Sequence, residues 1–463
     1  MKKLTLLALT LFTLSRLSAE GLDDDLGGFE SDLSGFEDDN TELYQEETQS
    51  SNVAESPFTL TGNIAFKTSY GYRDHTINSV DYSGFNQAQT ALYLQLDTKF
   101  SKDWKLRVSA DAFYDAIYKL HPNTEYNSDV LDTYETQLRF DDVYIQGKLS
   151  DNLDLKVGRQ IVVWGKSDSI RITDIINPLD NRLPGLTDIE DLRLSVGMLK
   201  LDYYIDKWNI SAMAIPENRV MLEAAPRGEF FPVDDIFQNA PNPFIELVTP
   251  ENSLKNTQYA LSANGVFSGW DLSFYMADVL DQKWHINPQT HKREVSKVKM
   301  LGSAINIAYG SWLLKSEVAY LDGIKYNSTQ NSKSRLDTLL GVDYMGIKDV
   351  VLSLEVASRH IFEYETQMSQ LVPSPDYVDK NELQTAIRLS RSYANDTLNV
   401  TALASMFGAS WEYGGFVRTW MEYDIDDGLT TNIGFVEYID GDKPFQSAIK
   451  DNDRIFADIT YSF

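Results

Sequence analysis

The segment from Gly158 to Arg193 mixes opposite charges in the least repetitive stretch of the chain. Its cations are Arg159, Lys166, Arg171, Arg182 and Arg193, and its carboxylates are Asp168, Asp174, Asp180, Asp188, Glu190 and Asp191. In a confined polar space, opposed rows of such side chains set a transverse field on whatever passes between them. The same charges could instead pair with one another and fix the segment in place. The residues alone leave both interpretations open.

Catalysis is not indicated by the residues that usually perform it. A nucleophilic enzyme needs a nucleophile, a base and an orienting group within hydrogen-bond reach, and no histidine stands in a Gly-x-Ser-x-Gly or His-Glu-x-x-His context. His285 and His291 flank one connection but form a weak metal pair in a chain without cysteine. The carboxylates around Asp424 lack EF-hand spacing. We expect no enzyme, no metal site and no cofactor.

The elements that must position the charged segment are predicted to be β-strands with two different faces. Near the carboxy-terminus, Ile455, Ala457, Ile459, Tyr461 and Phe463 share one parity, whereas most polar residues take the other. Such alternation is typical of a strand with one apolar and one wet face. An aromatic carboxy-terminus on such a strand resembles that of Gram-negative outer-membrane β-barrel proteins. An ordinary edge strand could end in the same way.

The same alternation recurs along the chain, with charged side chains opposite aliphatic ones. Lys105, Arg107, Asp111, Lys156, Glu355 and Arg418 fall on the presumed lumen side. Lumen placement is favoured because a Lys or Arg at the lipid midplane costs about 2–4 kcal/mol. Residues Gln137 to Lys148 mix their parities and fit this pattern poorly.

Tight turns set the number of strands. Eight short polar joints, such as Asp206-Lys207 and Ser268-Gly269, alternate with longer connections. Eight turns and nine longer loops, with both termini on the periplasmic side, predict a single transmembrane antiparallel β-barrel of about 18 strands, with 14 to 18 as the acceptable range. The fold class is therefore all-β. A soluble all-β protein of two or three domains is the alternative, but it would not alternate short and long joints so persistently.

Composition agrees with a secreted, membrane-embedded barrel. Residues 1–19 read as a signal peptide, with Lys2 and Lys3 ahead of an apolar run. No later stretch approaches twenty apolar residues, which excludes an inner-membrane helical protein. The chain combines 25 Tyr, 22 Phe and 8 Trp with a mean hydropathy of −0.32, as lipid-facing strands with aromatic girdles would. The net charge of −28 argues against nucleic acid as a partner.

Residues 20–57 form a separate acidic segment, with thirteen Asp and Glu and no Lys or Arg. Such a composition predicts a disordered periplasmic tail. It contains a short repeat whose apolar members are Leu26, Phe29, Leu33 and Phe36. These four could dock a periplasmic partner, or they could be incidental residues in a solvated linker.

A second long connection, Glu217 to Asn256, has a different character. Phe230, Phe231, Ile236 and Phe237, followed by the proline-punctuated run Pro241–Ile245, make it rich in apolar residues. Loops of this length are usually functional or disordered. So many aromatic residues favour order, either as a lid packed on the barrel mouth or as a landing site for a hydrophobic substrate.

Three motifs in the charged segment carry a family resemblance. They are the Gly158-Arg159-Gln160 strand end, the Trp164-Gly165 pair and the Asn177-Pro178-Leu179-Asp180 loop. The sequence here resembles a family of uncharacterised Gram-negative outer-membrane proteins, which are porin-like barrels and tend to be encoded beside inner-membrane exporters of the resistance-nodulation-division (RND) superfamily. The resemblance covers residues 58–463 and implies a location in the cell outer membrane and a transport role. It does not imply a ligand.

These observations lead to one functional expectation and two alternatives. We expect a passive outer-membrane conduit that passes a hydrophobic or amphipathic compound together with an RND exporter, in contact with outer-membrane lipid. Its narrow zone is expected at Arg159, Lys166, Asp168, Arg171, Asp180 and Arg182, on a loop folded into the lumen. The alternatives are a plugged barrel that anchors a periplasmic complex through its acidic tail, and a general diffusion porin.

Overall fold

The computed structural model describes residues 57–77, 79–121, 124–231, 247–287, 289–370 and 376–463. The predicted tail with Leu26, Phe29, Leu33 and Phe36 lies outside the described residues, as does the signal-like segment. In the described part no helix is both long and apolar enough to cross a membrane.

The wall consists of eighteen long strands that follow one another along the chain. They are β1 (Phe58–Gly71), β2 (Gly84–Lys99), β3 (Trp104–Asp115), β4 (Thr136–Ser150), β5 (Leu153–Gln160), β6 (Val196–Ile205), β7 (Trp208–Ile215), β8 (Gln258–Phe267), β9 (Trp270–Ile286), β10 (Arg293–Tyr309), β11 (Trp312–Ile324), β12 (Lys333–Ile347), β13 (Val350–Ile361), β14 (Asn381–Tyr393), β15 (Leu398–Phe407), β16 (Gly415–Asp426), β17 (Leu429–Ile439) and β18 (Arg454–Ser462).

The strands close into a ring because the last one pairs with the first. β18 and β1 are antiparallel, in a register that runs from Asn63 opposite Ser462 to Gly71 opposite Arg454. Every neighbouring pair between β2 and β18 is also antiparallel. Closure removes the free edges that would otherwise expose unpaired backbone groups to lipid. The prediction of an all-β barrel of about 18 strands is confirmed.

Short turns join the strands at one end of the barrel. Two-residue joints carry positive φ angles that suit tight hairpins, as at Asp206 (51°), Gly269 (81°) and Gly310 (58°). The longer connections lie at the other end, which is the outer end in barrels of this kind. The count of turns therefore predicted the count of strands.

Side chains alternate across the wall as the period of two predicts. On β18, Ile455 and Ile459 are 47% and 42% exposed on the side of the lipid, whereas Arg454 is buried. Glu355 and Arg418, which were expected in the lumen, are both more than nine-tenths buried. The alternation thus separates an apolar exterior from a charged interior.

A β-bulge in β4 explains why Gln137 to Lys148 mixes its parities. Val108 of β3 faces Val143, but Ala110 faces Phe140, so that Asp141 and Asp142 together oppose a single residue. The backbone N–H of Asp142 donates to the hydroxyl of Ser109 over 3.0 Å. Because of the extra residue, the lipid-facing positions change from even-numbered ones, such as Leu138 and Phe140, to odd-numbered ones, such as Ile145.

The inner face of the barrel is not polar throughout, although a simple alternation of apolar and polar residues predicts that it should be. A buried apolar cluster fills the lumen beside β6–β14, and residues of the connection between β5 and β6 form part of it. Its members from the wall include Met198, Met213, Val298, Met300 and Leu339. Apolar inward residues are tolerated there because they pack against a folded loop and not against water. Sequence periodicity could not distinguish the two environments.

Shorter elements lie in the longer connections between the strands. They are the helices α1 (Ile117–Leu120), α2 (Ser128–Tyr134) and α3 (Pro444–Ile449), the 3-10 turns Leu254–Asn256 and Thr366–Ser369, and the two-residue strands Thr76–Ile77, Val80–Asp81, Asp180–Asn181, Leu222–Glu223 and Leu247–Val248. The strand Leu247–Val248 pairs with β10 alongside the barrel sheet.

The connection between β7 and β8 packs part of its aromatic set. Phe230 is only 1% exposed and lies in a cluster with Val436, Tyr438 and Ile449. Ile236, Phe237 and the run 241–245 lie outside the described residues. The choice between a lid and a landing site stays a prediction.

Candidate functional site

The connection between β5 and β6, residues 161–195, is named the inner loop because it leaves the wall and enters the lumen. Its first turn crosses toward β9, where the ring of Trp164 stacks on Tyr275 with centroids 4.7 Å apart. The hydroxyl of Tyr275 accepts the backbone N–H of Gly165 (3.2 Å). Gly165 has a φ of 90°, a conformation that glycine adopts most readily. This glycine lets the backbone approach the wall closely.

Glu317 on β11 holds the centre of the inner loop. Its carboxylate accepts the backbone N–H groups of Lys166 (2.6 Å), Ser167 (2.9 Å) and Thr173 (3.1 Å), together with the Thr173 hydroxyl (2.7 Å). The side chain is 2% exposed. A buried carboxylate that accepts several N–H groups compensates for its own desolvation.

Glu355 on β13 holds the next turn in the same way. It accepts the backbone N–H groups of Asp168 (2.8 Å), Ser169 (3.1 Å) and Ile170 (3.1 Å). Glu355 stands near the middle of its strand, with five residues before it and six after it. The inner loop therefore reaches about half the height of the barrel.

Asn177 closes the base of the inner loop. Its amide group donates to the carbonyl oxygens of Gln160 (3.3 Å) and Leu194 (2.8 Å), and its side-chain oxygen accepts the N–H of Val162 (2.8 Å). Asn177 is completely buried. One amide thus joins the strand that enters the inner loop to the strand that leaves it.

Asp188 fastens the far end of the inner loop to the opposite wall. It forms ion pairs with Arg418 on β16 and with Arg388 on β14, the latter at 3.4 Å. β14 lies nine strands from β5 in a ring of eighteen, which is the diametrically opposite position. Arg418 also lies over the ring of Trp420 at 3.9 Å. The inner loop therefore spans the whole lumen.

Two cavities lie on either side of the inner loop. The first, named the polar passage, has a volume of about 630 Å³ and is lined by β1–β3, β14–β18 and residues 183–191 of the inner loop. It extends from Tyr82 and Tyr118 among the outer connections to Asn399, which is one residue from the start of β15 at the turn end.

Acidic residues outnumber basic ones along the polar passage. Seven carboxylates and four cations line it: Asp115, Asp188, Glu190, Asp191, Glu229, Glu422 and Asp458 against Lys67, Arg388, Arg418 and Arg454. Burial raises the pKa of Glu190, and the charges of Asp191 and Asp188 raise it further. The pKa of Asp191 is raised for the same reasons. An acidic lumen of this kind attracts cations.

The second cavity, named the outer pocket, has a volume of about 620 Å³. It lies among β9–β15, residues 171–179 of the inner loop and the outer connections. Apolar side chains such as Ile172, Leu321 and Phe445 share its lining with Arg335 and Arg359. The mixture suits a ligand with an apolar body and a polar group.

A family model matches residues 34–463, which is most of the chain. The family is described as protein of unknown function (DUF1302). The chain belongs to this family. A comparison of the DUF1302 chain with curated proteins found no match.

Three solved structures are similar to this chain. OccAB1 of Acinetobacter baumannii has a TM-score of 0.51 at 11% identity, with 87% of this chain and 96% of that chain covered. OpdK of Pseudomonas aeruginosa, solved with vanillate, has a TM-score of 0.49 at 9% identity, with 87% and 98% covered. OccK2 (OpdF) of Pseudomonas aeruginosa, solved with glucuronate, has a TM-score of 0.48 at 11% identity, with 88% and 96% covered.

The DUF1302 chain is a porin-like β-barrel of the outer membrane. The closed ring of eighteen strands carries this conclusion, together with the likeness in fold to OccAB1. The predicted location in the cell outer membrane is confirmed.

Three of the six residues predicted for the narrow zone pair with the wall or with another loop. Arg159 forms a two-pronged ion pair with Glu217 (2.5 and 3.1 Å). Lys166 is buried 3.8 Å from Asp271 of β9, and burial lowers its pKa. Asp168 pairs with Lys315 of β11.

The other three pair mainly within the inner loop. Arg171 binds Asp174 (3.0 Å) and the carbonyl oxygen of Asn177 (3.0 Å). Asp180 binds Arg182 (2.5 Å) and Arg139 of β4 (3.2 Å). These contacts are those of a braced loop. Their effect on passing solutes stays a prediction.

None of the six residues lines the polar passage, and only Arg171 lines the outer pocket. The inner loop instead presents Asp188, Glu190 and Asp191 to the polar passage. Their charges were visible in the sequence, but their direction was not. Lys67, Glu422 and Asp458 carry no local signal that separates them from other inward residues of the strands.

Proposed function

We propose that this barrel is a passive conduit for a small amphipathic compound. The conduit prefers cationic solutes, and the inner loop narrows its lumen. The observation that carries the proposal is the polar passage, an acidic cavity of about 630 Å³ beside a loop that spans the lumen. In a wide barrel the inward loop, and not the wall, sets selectivity. The open side of the lumen lies where the wall is polar.

The preference for cations follows from which charges are compensated. Arg388 and Arg418 pair with Asp188, and Arg454 pairs with Glu229. Five carboxylates of the polar passage form no ion pair with a described cation, namely Asp115, Glu190, Asp191, Glu422 and Asp458, and the one remaining cation among the described lining residues is Lys67. A lumen with this excess raises the local concentration of cations and lowers that of anions.

The amphipathic nature of the cargo is supported by the outer pocket, whose apolar and charged lining suits such a molecule. The exporter partnership rests on the family resemblance, and docking through the acidic tail rests on the sequence repeat at Leu26, Phe29, Leu33 and Phe36. Both belong to this proposal as predictions.

The test is the reversal potential of single channels in planar bilayers under a KCl gradient. Wild-type protein should conduct in discrete steps with a preference for K⁺. The double variant Glu190→Gln with Asp191→Asn should shift the potential toward Cl⁻, whereas Glu363→Gln, an exposed carboxylate outside both cavities, should not. A preference for anions in the wild type would overturn the proposal.

A plugged barrel that anchors a periplasmic complex is the second candidate. It is favoured by the six backbone N–H groups of the inner loop that Glu317 and Glu355 hold. A silent bilayer that stays silent after residues 163–194 are trimmed would favour this anchor over the conduit. A general diffusion porin would instead let sugars swell liposomes without discrimination.

A further inference from the structure

Three tyrosines form an aromatic mouth where the polar passage meets the outer connections. The rings of Tyr118 and Tyr126 meet edge to face with centroids 4.9 Å apart. Those of Tyr82 and Tyr126 are 6.4 Å apart, also edge to face. Tyr82 and Tyr118 both line the polar passage. We name Tyr82, Tyr118 and Tyr126 the aromatic mouth.

The hydroxyl of Tyr82 is the unusual member of this group. The side chain is more than nine-tenths buried, yet its hydroxyl has no hydrogen-bond partner among the described residues. By contrast, Tyr126 bonds His121 Nδ1 (3.0 Å), and Tyr134 donates to the carbonyl oxygen of Arg182 (3.0 Å). Buried polar groups are nearly always satisfied. We therefore expect a group of a bound ligand to supply the hydrogen-bond partner that the hydroxyl of Tyr82 lacks among the described residues.

The charges around the aromatic mouth determine whether the ligand group is expected to be positive or negative. Burial, followed by the negative charges of Glu229 and Asp115, raises the pKa of Tyr126 to about 12. Glu229 pairs with Arg454, whereas Asp115 forms no ion pair with a described cation and also lines the polar passage. Deeper in the passage stand Glu190 and Asp191. A negative environment of this kind disfavours a carboxylate ligand and favours a cation.

Aromatic faces in the same lumen already bind cations. The guanidinium of Arg454 lies over Phe230 at 4.7 Å, and that of Arg418 lies over Trp420 at 3.9 Å. A cation beside the ring of Tyr118, which lines the polar passage, would make the same kind of contact.

We propose that the aromatic mouth binds an organic cation, specifically a primary ammonium carried by an apolar or aryl group. An ammonium N–H donates to the hydroxyl oxygen of Tyr82, and the apolar part packs on the ring of Tyr118. The inference deepens the proposed function, on which it rests, by naming the class of compound that the passage takes up first.

The test is equilibrium binding to the full-length protein in detergent, measured by calorimetric titration. The probes are phenethylammonium, its N-trimethyl derivative and the anion 3-phenylpropionate. Phenethylammonium should bind more tightly than the anion. Tyr82→Phe removes only the hydroxyl, so it should weaken the binding of phenethylammonium by about 3- to 10-fold. The affinity for the trimethyl compound, which has no N–H to donate, should stay unchanged.

Two further variants make the result specific. Tyr118→Leu should weaken the binding of both cations, because both lose contact with a ring face. Tyr309→Phe alters a tyrosine that is 78% exposed on the lipid side and should change neither affinity. Retained barrel structure is checked by circular dichroism. Equal binding of the anion, no effect of Tyr82→Phe on phenethylammonium, or no binding of any probe would each overturn the inference.

Binding and conduction can fail separately. A barrel that binds phenethylammonium in the expected way but is silent in bilayers contradicts the proposed function and leaves the aromatic mouth supported. A barrel that conducts K⁺ selectively but does not bind the ammonium retains the function and loses the inference.

Discussion

At the scale of single residues, two glutamates decide where the inner loop lies. Glu317 and Glu355 face the lumen from β11 and β13, and each accepts three backbone N–H groups of the inner loop. A lumen position for Glu355 was predictable from alternation along its strand. Its partners were not, because Asp168 and Glu355 are 187 residues apart in the chain.

Replacement of Glu317 by Ala should loosen the inner loop. Three N–H groups and the hydroxyl of Thr173 lose their acceptor in a site that water does not reach easily. We expect the free energy of unfolding to fall by about 3 kcal/mol or more, measured by urea titration in lipid vesicles, and the open-channel current to become noisier. The control is Glu422→Ala, a lumen carboxylate that forms no hydrogen bond or ion pair with the described inner loop. Equal stability of the two variants would contradict this role of Glu317.

At the scale of elements, the bulge in β4 shows how one inserted residue reverses a strand. Before Asp141 the lipid-facing positions are even-numbered, as at Leu138, which is 77% exposed, and afterwards they are odd-numbered, as at Ile145. A simple period of two therefore fails across this strand, although the strand itself was predictable. Other wall strands also carry irregularities, such as the one between Leu280 and Trp284 of β9. The turns between the strands stay recognisable, which is why they sufficed to count the strands.

Arginine scanning across the bulge should reveal the reversal. Ile145→Arg places a charge in lipid near the middle of β4 and should destabilise the barrel by about 2–4 kcal/mol. The neighbouring change Gln146→Arg places the same charge in the lumen and should cost far less. Refolding into vesicles, followed by urea titration, measures both. If Gln146→Arg were the more harmful change, the bulge would be wrongly placed.

At the scale of the whole molecule, the lumen is divided into an apolar half and an acidic half. The apolar cluster beside β6–β14 packs against the inner loop, and the polar passage follows β14–β18 and β1–β3. Membrane insertion requires only that the outer face be apolar. The inner face is free to become a packed core on one side and a passage on the other.

Cation preference should weaken on acidification at a higher pH than ordinary carboxylates would cause. Burial and mutual repulsion raise the pKa of Glu190 and Asp191, so these groups take up protons before carboxyls that titrate near pH 4. The K⁺ preference, measured by reversal potential at each pH, should therefore begin to fall above that range. In the double variant Glu190→Gln with Asp191→Asn this early decline should disappear. A reversal potential of the wild-type channel that stays unchanged down to about pH 4 would contradict the early protonation of Glu190 and Asp191.

Local sequence patterns were sufficient to predict the all-β class, the eighteen strands, the two faces of the wall and the charged segment between β5 and β6. These features depend on local period and turn chemistry, which each stretch of chain carries independently. Which charges brace the inner loop and which face the polar passage became visible in the folded chain alone. Those contacts join residues far apart, such as Lys166 and Glu317 at a separation of 151 residues, so no local pattern encodes them.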